Sequence, residues 1–423
     1  MTLALGIDIG TSGIRTAVVD GEGRVVSTAR VPHEPQVAGR LNAENWWHAT
    51  QACIRAQMAE IRLLGLSGKD ISNVVVDGTS GSMVLTDAAL RPVGPALMYN
   101  SKGFDAEAKR IAAVCPEPDH ITQGANSALA RAMRMLVNAE SVPAHLLHQA
   151  DFVAAKLMQC GGHSDHNNAL KAGFDPDSNE WPAWIGDLLD PSLLPRVDPV
   201  GTAWQVVDSG IASDLGLNPA AVVKAGTTDS IAAFLAASPL DVGHAVTSIG
   251  STLAIKLLSD KRIDLPSQGL YSHRLGGLWL VGGASNTGGA VLSHFFSTDA
   301  LSDLSERIDP SQPSDLDYYP LIEPGERFPI NDPGLQPRMT PRPADDAEFL
   351  HGLFEGIARI EADCYQLISR CGGPTPSVVL TAGGAARNRT FSAIRARVLG
   401  LPLRAAAETE ASVGAAKIAF MQD

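Results

Sequence analysis

A carboxylate lies beside a turn of small and hydroxyl residues near the start of the chain. Asp8 interrupts the apolar run LALGIDI, and the turn Gly10, Thr11 and Ser12 follows. Backbone N–H groups of a glycine-rich turn can approach an anion closely, and hydroxyls add donors to phosphate oxygens. Mg²⁺ takes carboxylate and phosphate oxygens together. Asp8 is therefore a magnesium candidate, and the alternative is a buried carboxylate bonded to nearby backbone.

The same pattern recurs in the second half of the chain. The segment IGTSGIRTAVVD at 9–20 aligns with IGSTLAIKLLSD at 249–260, which offers a second turn at Gly250, Ser251 and Thr252. An amphipathic helix and a further strand, NVVVDGTSG or SVVLTAGG, follow each copy. One such turn alone is usually an ordinary tight turn, but two turns that face each other could hold a polyphosphate. The repeat predicts two copies of a β-meander with an α/β unit, divided near residues 232–240.

A third stretch, VVKAGTTDSIAAFLAA at 222–237, predicts a strand, a turn and a helix headed by Asp229. An aspartate at a helix start can cap free N–H groups whether or not it does chemistry. The residues alone leave the cap and the functional carboxylate equally open.

Composition restricts the function classes. The 423 residues are 45% hydrophobic and 19% charged, which predicts packed globular domains. The net charge of −13 disfavours nucleic-acid binding, which depends on a basic surface. No apolar run approaches the length of a membrane span, and the first residues do not resemble a signal peptide. We therefore expect a cytoplasmic protein without nucleic-acid or membrane partners.

Other segments predict structure rather than chemistry. Helical spacing of apolar residues predicts helices over 43–64 and 345–373. The Pro-rich stretch 309–346 indicates a surface connection. Five cysteines without a C-x-x-C pair indicate reduced thiols. The segment CGGHSDHNN at 160–168 contains the zinc-ligand types Cys160, His163, Asp165 and His166, but it lacks two spaced ligand pairs, and a polar loop is preferred.

The motifs taken together resemble a known family. GIDIGTSGIRTAVVD, AGTTDS, TSIGSTLAI, GGASNTGG, FEGIAR and LTAGGAARN occur here in the order seen in the FGGY carbohydrate kinases. The resemblance covers essentially the whole chain. It implies an α/β fold of two duplicated actin/Hsp70/hexokinase-like (ribonuclease H-like) domains that flank an ATP and sugar cleft. Residues 1–235 would form the sugar and magnesium side, with the catalytic Asp at the end, and 236–423 the nucleotide side.

The resemblance also implies roles for individual residues. Asp229 is similar to the catalytic base that takes the proton from the sugar hydroxyl, and Asp8 to the magnesium-associated carboxylate. Asp8, Ser80 and Asp229 would contact the sugar. The two turns would bind the phosphates of ATP. The implied adenosine site comprises Gly383, Gly384 and Asn388, with Phe391 as an aromatic wall.

The sugar itself is predicted from departures from relatives. Xylulose kinases usually show Gln-Met-His-Gly near Ser80, whereas this chain has Ser82-Met83-Val84-Leu85. The segment YNSKGF keeps Asn100 but lacks the charged positions of a common Asn-Asp-x-Arg element. In length the chain resembles the compact ribulose-kinase-like branch of the family. We therefore expect an ATP- and Mg²⁺-dependent pentulose kinase, with D-ribulose favoured and D-xylulose or a polyol as the alternative.

Two further classes compete with a kinase. A nucleotide-binding switch of the actin and Hsp70 type would carry added partner-binding regions, and a sugar-sensing regulator would carry a basic helix-turn-helix segment. The sequence shows neither signature. The kinase is therefore preferred, as a monomer or homodimer.

Overall fold

The computed structural model describes residues 2–33 and 41–421. Contacts group the chain into two compact units. Unit 1 comprises Met1–Ala236, Arg274–Gly276 and Glu410–Asp423, and unit 2 comprises Ala237–His273 and Gly277–Thr409. This grouping follows the predicted ranges 1–235 and 236–423 for most of the chain and differs at 236, 274–276 and 410–423. That residues 1–235 and 236–423 form two separate domains stays a prediction.

Unit 1 is built on a mixed sheet with helices between its strands. Its elements along the chain are β1 (Leu3–Ile9), β2 (Gly13–Asp20), β3 (Val25–Pro32), α1 (Glu44–Leu63), β4 (Ile71–Gly78), β5 (Met83–Thr86), α2 (Asp105–Val114), α3 (Ala128–Val137), β6 (His145–His148), α4 (Gln149–Met158), β7 (His163–Asp165), α5 (His166–Leu170), β8 (Arg196–Asp198), β9 (Ala203–Val206), α6 (Ser209–Leu215), β10 (Val222–Thr228) and α7 (Asp229–Ala237).

The main sheet of unit 1 has the strand order β3-β2-β1-β4-β10-β9. Strand β1 runs antiparallel to β2 and parallel to β4, and β10 runs parallel to β4. Side chains alternate between the two faces of a strand. Thr16, opposite Ile7, donates to Gln57 of α1 at 3.0 Å, whereas Gly6 faces Ser412 and belongs to the opposite face. Helices therefore cover both faces, which explains why every residue of β1 is buried.

Unit 2 repeats this plan with fewer elements. They are β11 (His244–Ile249), β12 (Leu253–Ser259), β13 (Tyr271–Leu275), β14 (Leu278–Ser285), α8 (Gly289–Phe295), α9 (Thr298–Glu306), α10 (Asp346–Arg370), β15 (Val378–Ala382), α11 (Arg389–Leu399) and β16 (Leu403–Ala405). The last helix, α12 (Ala411–Ile418), returns to unit 1.

The predicted duplication is confirmed by the sheet of unit 2, which has the order β13-β14-β12-β11-β15-β16. The hairpin β11–β12 is antiparallel, β15 lies parallel to β11, and β16 lies parallel to β15. The series β12-β11-β15-β16 therefore reproduces β2-β1-β4-β10 in order and direction. The α/β fold with two copies of one unit is the predicted one.

The two longest helices lie where the apolar spacing predicts them. Helix α1 covers 44–63, and α10 covers 346–370, with Asp345 capping the start of α10 through Ala347 N–H. The prediction of a surface connection over 309–346 is wrong in part. Tyr318, Leu321 and Phe328 from this stretch are buried in unit 2. Among the described residues, no helix is both long and apolar enough to cross a membrane.

Candidate active site

Three carboxylates gather at one edge of the unit 1 sheet. Asp8 lies one residue before the end of β1, Asp77 one residue before the end of β4, and Asp229 directly after β10. In the parallel ladders, Asp8 pairs with Asp77, and Asp77 pairs with Thr227. Because parallel neighbours end at the same edge, the sheet brings the three residues together. Asp8 and Asp229 are predicted site residues, and Asp77 is not.

Asp8 is almost completely buried and has a cationic neighbour. Its Oδ2 accepts from Arg15 Nη1 at 3.3 Å, and Arg15 Nε lies 3.4 Å from Glu410 Oε2. Burial raises the pKa of Asp8, while hydrogen bonding with Asp77 and the charge of Arg15 oppose the rise. Arg15 therefore offsets part of the negative charge at this edge.

Asp77 is fully buried, and its carboxyl group contacts that of Asp8 but accepts no hydrogen bond from any other group among the described residues. Burial raises its pKa well above the ordinary value, and the neighbouring charges of Asp8 and Asp229 raise it further. The sequence carried a signal for this residue. In VVVDGTSG, Asp77 precedes a Gly-Thr-Ser-Gly turn much as Asp8 does in GIDIGTSG.

Asp229 is half-buried and is the first residue of α7. Its Oδ1 accepts from Ser230 N–H at 2.6 Å, so the carboxylate does contact the free N–H groups of the helix start. The Asp229 carboxylate also interacts electrostatically with Asp77, so it lies at the carboxylate edge. Both interpretations of Asp229 are compatible with this position, and its role as base stays a prediction.

Several buried polar atoms near this edge have no hydrogen-bond partner in the described part of the chain. They are Ser80 Oγ, Gln149 Nε2, Asn167 Oδ1 and Thr228 Oγ1. Gln149 Oε1 accepts from Thr79 N and Thr79 Oγ1, at 3.0 and 2.7 Å, and Asn167 Nδ2 donates to Thr227 Oγ1 at 3.1 Å. Ser80 is a predicted sugar contact. The sequence does not single out the other three, and only the fold brings them together.

The first predicted phosphate turn connects β1 to β2. Gly10 N–H donates to Gly13 O at 3.0 Å, and Thr11 and Ser12 are exposed at the tip. His33, which the sequence did not single out, braces the turn. Its Nε2 lies 2.8 Å from Gly10 O, and its N–H donates to Ser12 O at 3.1 Å.

The second predicted phosphate turn connects β11 to β12 in unit 2. Gly250 N–H donates to Thr252 O at 3.1 Å, and Gly250, Ser251 and Thr252 are all exposed. The start of α8 supports this turn, because Gly289 N–H donates to Gly250 O at 2.8 Å. A Cβ on Gly289 would lie 2.5 Å from Gly250 O, which explains the glycine there. That the two turns face each other stays a prediction.

The residues of the predicted adenosine site lie between β15 and α11. Gly383 has φ +87°, and a Cβ there would lie 2.6 Å from Ile249 O, whereas a Cβ on Gly384 would meet open space. Asn388 caps α11, because its Oδ1 accepts from Phe391 N–H at 2.9 Å. Its Nδ2 donates to Ser305 Oγ at 2.8 Å. The amide of Asn388 therefore has protein partners at both ends.

Two predictions near these sites are wrong. Phe391 does not form an exposed aromatic wall, because it is 1% exposed and stacks on Phe354 with ring centroids 4.5 Å apart. The segment from Cys160 is not a polar loop, because it forms β7 and α5 with Asp165 capping the helix through Asn167 and Asn168 N–H. Across 2–33 and 41–421, no group of three or more His, Cys, Asp or Glu side chains is arranged to hold a metal ion.

Comparisons with known proteins agree with this architecture. The model of the FGGY family of carbohydrate kinases, N-terminal domain, matches residues 3–123, and that of the C-terminal domain matches residues 245–422. The xylulose kinase of Escherichia coli (strain K12) is 24% identical over 459 residues, covering 98% of this chain and 89% of the relative.

Solved structures show the same fold. The xylulose kinase from Rhodospirillum rubrum aligns with a TM-score of 0.86 at 20% identity, over 99% of this chain and 89% of that one. Plasmodium falciparum glycerol kinase with ADP aligns with a TM-score of 0.81 at 15% identity, over 99% and 89%. The chain belongs to the FGGY family of carbohydrate kinases. It is an ATP-dependent sugar kinase.

Proposed function

We propose that the chain phosphorylates the terminal hydroxyl of a pentulose, with D-ribulose as the favoured substrate. The observation that carries this proposal is the set of unpartnered buried polar atoms on Ser80, Gln149, Asn167 and Thr228 beside the carboxylate edge. A buried polar group without a partner costs about 1–3 kcal/mol. The hydroxyls of a small sugar both donate and accept hydrogen bonds, so such a ligand would satisfy these atoms.

In this proposal Asp229 accepts the proton of the terminal hydroxyl. The hydroxyl oxygen forms a bond to the γ-phosphorus, the bond from that phosphorus to the β–γ bridging oxygen breaks, and ADP leaves. The turns at Gly10–Ser12 and Gly250–Thr252 present backbone and hydroxyl donors to phosphate oxygens. Positioning the acceptor in line is the largest task of the protein in such a reaction.

The carboxylates also fit a magnesium ion. Mg²⁺ prefers hard oxygen ligands and is commonly held by one or two carboxylates together with substrate phosphates. Asp8 supplies such an oxygen at the carboxylate edge, and the buried carboxyl oxygens of Asp77 lie beside it. Asp8 would hold the ion, and bound Mg²⁺ would neutralise charge on the phosphates.

D-Xylulose is the second candidate substrate. It differs from D-ribulose in configuration at C3, and several relatives of 22–25% identity are named xylulose kinases. The absence of Gln-Met-His-Gly near Ser80 favours D-ribulose over this alternative. Because the similar structures include both xylulose and glycerol kinases, the fold does not select the sugar.

A coupled assay of ADP release across D- and L-ribulose, D- and L-xylulose, ribitol, glycerol and gluconate tests the proposal. We expect the highest kcat/KM with D-ribulose. Higher kcat/KM with D-xylulose would replace ribulose with the second candidate. Preference for glycerol or gluconate, or ADP release that no sugar accelerates, would contradict a pentulose kinase.

The substitution Thr228→Val tests the sugar contacts directly. It removes an unpartnered hydroxyl at nearly constant shape, so we expect unchanged or slightly higher thermal stability and a KM for the sugar raised about fivefold, since one hydrogen bond is worth roughly 1 kcal/mol. Thr247→Val is the matched control in unit 2. Its hydroxyl bonds Glu361 and Tyr365, at 2.5 and 2.8 Å, so that variant should lose stability and keep the sugar KM. An unchanged sugar KM in Thr228→Val would contradict the proposed contact between the Thr228 hydroxyl and the sugar.

A further inference from the structure

We infer that Asp77 is a second carboxylate of the magnesium site and acts together with Asp8 on the ion that accompanies the phosphates of ATP. This inference rests on the proposed function. The geometry begins with the sheet, because Asp8 and Asp77 are direct partners in the parallel ladder of β1 and β4. Each residue is at most 5% exposed, so both carboxylates are largely shielded from solvent.

Asp77 differs from the other buried acids of the described chain. Asp151 accepts from His148 N–H, Asp165 from Asn167 and Asn168 N–H, and Glu361 pairs with Arg395. Among the described carboxylates, only Asp77 has both oxygens buried with no donor from a non-carboxyl group, and its neighbour is the Asp8 carboxyl group. A charged carboxylate buried without a partner is strongly disfavoured, so Asp77 either carries a proton or faces a positive partner.

The local charges indicate what that partner is. Asp8, Asp77 and Asp229 interact electrostatically, and Arg15 contacts both Asp8 and Glu410. The like charges of the three aspartates repel one another at this edge. A divalent cation would relieve this repulsion.

Two carboxylates suit magnesium in particular. This ion keeps several water ligands and is usually held by one or two carboxylates plus substrate phosphates. Phosphate and water oxygens would complete the coordination of an ion held by the two carboxylates. The ion should therefore bind weakly to the protein alone and more tightly with ADP.

The competing explanation is that Asp77 is a neutral acid packed for structural reasons. The variant Asp77→Asn separates the two, because an amide has the size of a neutral carboxyl group but cannot supply a negative ligand. A structural acid would tolerate this change without any effect on metal binding, whereas a metal-binding carboxylate would not.

The experiment measures Mn²⁺, as a stand-in for Mg²⁺, by the electron paramagnetic resonance of the free ion in the presence of ADP. Wild type, Asp77→Asn, Asp8→Asn and the control Asp151→Asn, another fully buried acid of unit 1, are compared. We expect Asp77→Asn and Asp8→Asn to raise the Kd of Mn²⁺ about tenfold or more. Asp151→Asn should stay within twofold, and ADP binding in EDTA should be unchanged in Asp77→Asn.

A Kd for Mn²⁺ within twofold of wild type in folded Asp77→Asn would overturn the inference. If Asp77→Asn does not fold, Asp77→Cys keeps it testable, because a thiolate ligand should shift the preference from Mn²⁺ to Cd²⁺. The wild type sets the background of the five native cysteines in that titration. An unchanged Cd²⁺ preference would then overturn it. Wild type that binds Mn²⁺ and ADP through Asp77 but phosphorylates no pentulose would contradict only the proposed function.

Discussion

Asp229 combines two possible roles in one position. It begins α7 and accepts from Ser230 N–H, as a cap residue does, and it lies close enough to Asp77 to raise the pKa of that carboxyl. A cap acts on stability, whereas a base acts on the rate of phosphoryl transfer. A variant that preserves the first property and removes the second therefore decides between them.

We expect Asp229→Asn to lower kcat by about 10²- to 10⁴-fold, the usual contribution of a positioned general base. The amide can still accept the Ser230 N–H bond, so the melting temperature and ATP binding should stay close to wild type. Turnover, nucleotide titration and thermal unfolding on one preparation provide the check. Turnover within a few-fold of wild type would leave Asp229 with a capping role alone.

Buried acids away from the carboxylate edge predict a dependence of stability on pH. Burial raises the pKa of Asp165 to about 6, and burial together with Asp165 raises the pKa of Asp151 well above its ordinary value. A raised folded-state pKa stabilises the fold below the unfolded pKa near 4, and this stability is lost as pH rises through the folded pKa. Burial lowers the pKa of His148 to about 3, which acts in the opposite direction.

The difference between wild type and Asp151→Asn removes the common contribution of His148. We expect the variant to gain roughly 1–3 kcal/mol of unfolding free energy relative to wild type between pH 5 and pH 7.5, since one proton per pH unit is worth about 1.4 kcal/mol. Urea unfolding at the two pH values measures it. If the free energies of unfolding of the two proteins changed in parallel with pH, the raised pKa of Asp151 would be contradicted.

Site residues that lie in a recognisable sequence motif could be predicted. Site residues that only tertiary packing brings together could not. Asp8 stands out because a carboxylate in an apolar strand beside a glycine turn is costly without a partner. Gln149, Asn167 and Thr228 look ordinary in sequence, and their unpartnered atoms become visible only when α4, α5 and β10 are packed together. Asp77 lies between these cases, because its motif was present but was interpreted as a buried strand and a turn.

At the scale of elements, the turn between β15 and α11 is the most testable part of the predicted nucleotide site. Helix α11 is anchored by Arg395, which is fully buried and pairs with Glu361 of α10 at 2.6 Å. Gly383 needs its conformation and its close approach to Ile249, whereas Gly384 has neither constraint. Packing and backbone conformation do not require a glycine at position 384. The open space beside it, next to the end of β15, can therefore accept a ligand.

We expect Gly384→Val to keep its fold and to weaken ATP binding about tenfold or more, because the side chain would occupy the space predicted for the adenosine. Gly277→Val is the matched control, since a Cβ there also meets open space but the residue lies in the β13–β14 turn. Calorimetric titration of a nonhydrolysable ATP analogue measures both. Equal affinities in the two variants would withdraw the adenosine assignment.

The regular elements were predictable because apolar periodicity reports local geometry. Strands β1, β4, β10 and β15 and helices α1 and α10 all lie where the spacing places them. The stretch 309–346 has no such periodicity, and its buried Tyr318 and Phe328 depend on contacts with distant parts of unit 2. Phe391 was placed by analogy with a position in relatives, and the stacking on Phe354 could not be read from sequence.

At the scale of the whole molecule, the repeat predicted the duplication but not the return of α12 to unit 1. This helix packs closely through glycines. A Cβ on Gly6 of β1 would lie 1.9 Å from Ser412 O, and a Cβ on Gly414 would lie 1.7 Å from Ala232 O of α7. Glu410, just before α12, reaches Arg15 and thereby the Asp8 carboxylate.

Substitution within α12 should therefore affect unit 1 although it lies near the end of the chain. We expect Gly414→Val to destabilise the protein by more than about 3 kcal/mol, since backbone on the opposing helix leaves no room for a side chain. Gly400→Ala, at a helix end with open space around it, should cost far less, with only the strain of its φ of +64°. Chemical denaturation compares the two, and similar midpoints would contradict the close packing.

The return of α12 also sets an order of events during synthesis on the ribosome. Residues 237–409 are made between the last strand of unit 1 and the helix that covers Gly6. At about 5–20 residues per second, this interval lasts roughly 10–35 s. During that time α12 has not yet been synthesised, so the nascent sheet of unit 1 exposes the apolar face that this helix later covers. A chaperone that shields such faces would find its binding site there, and would lose it when residues 411–418 emerge.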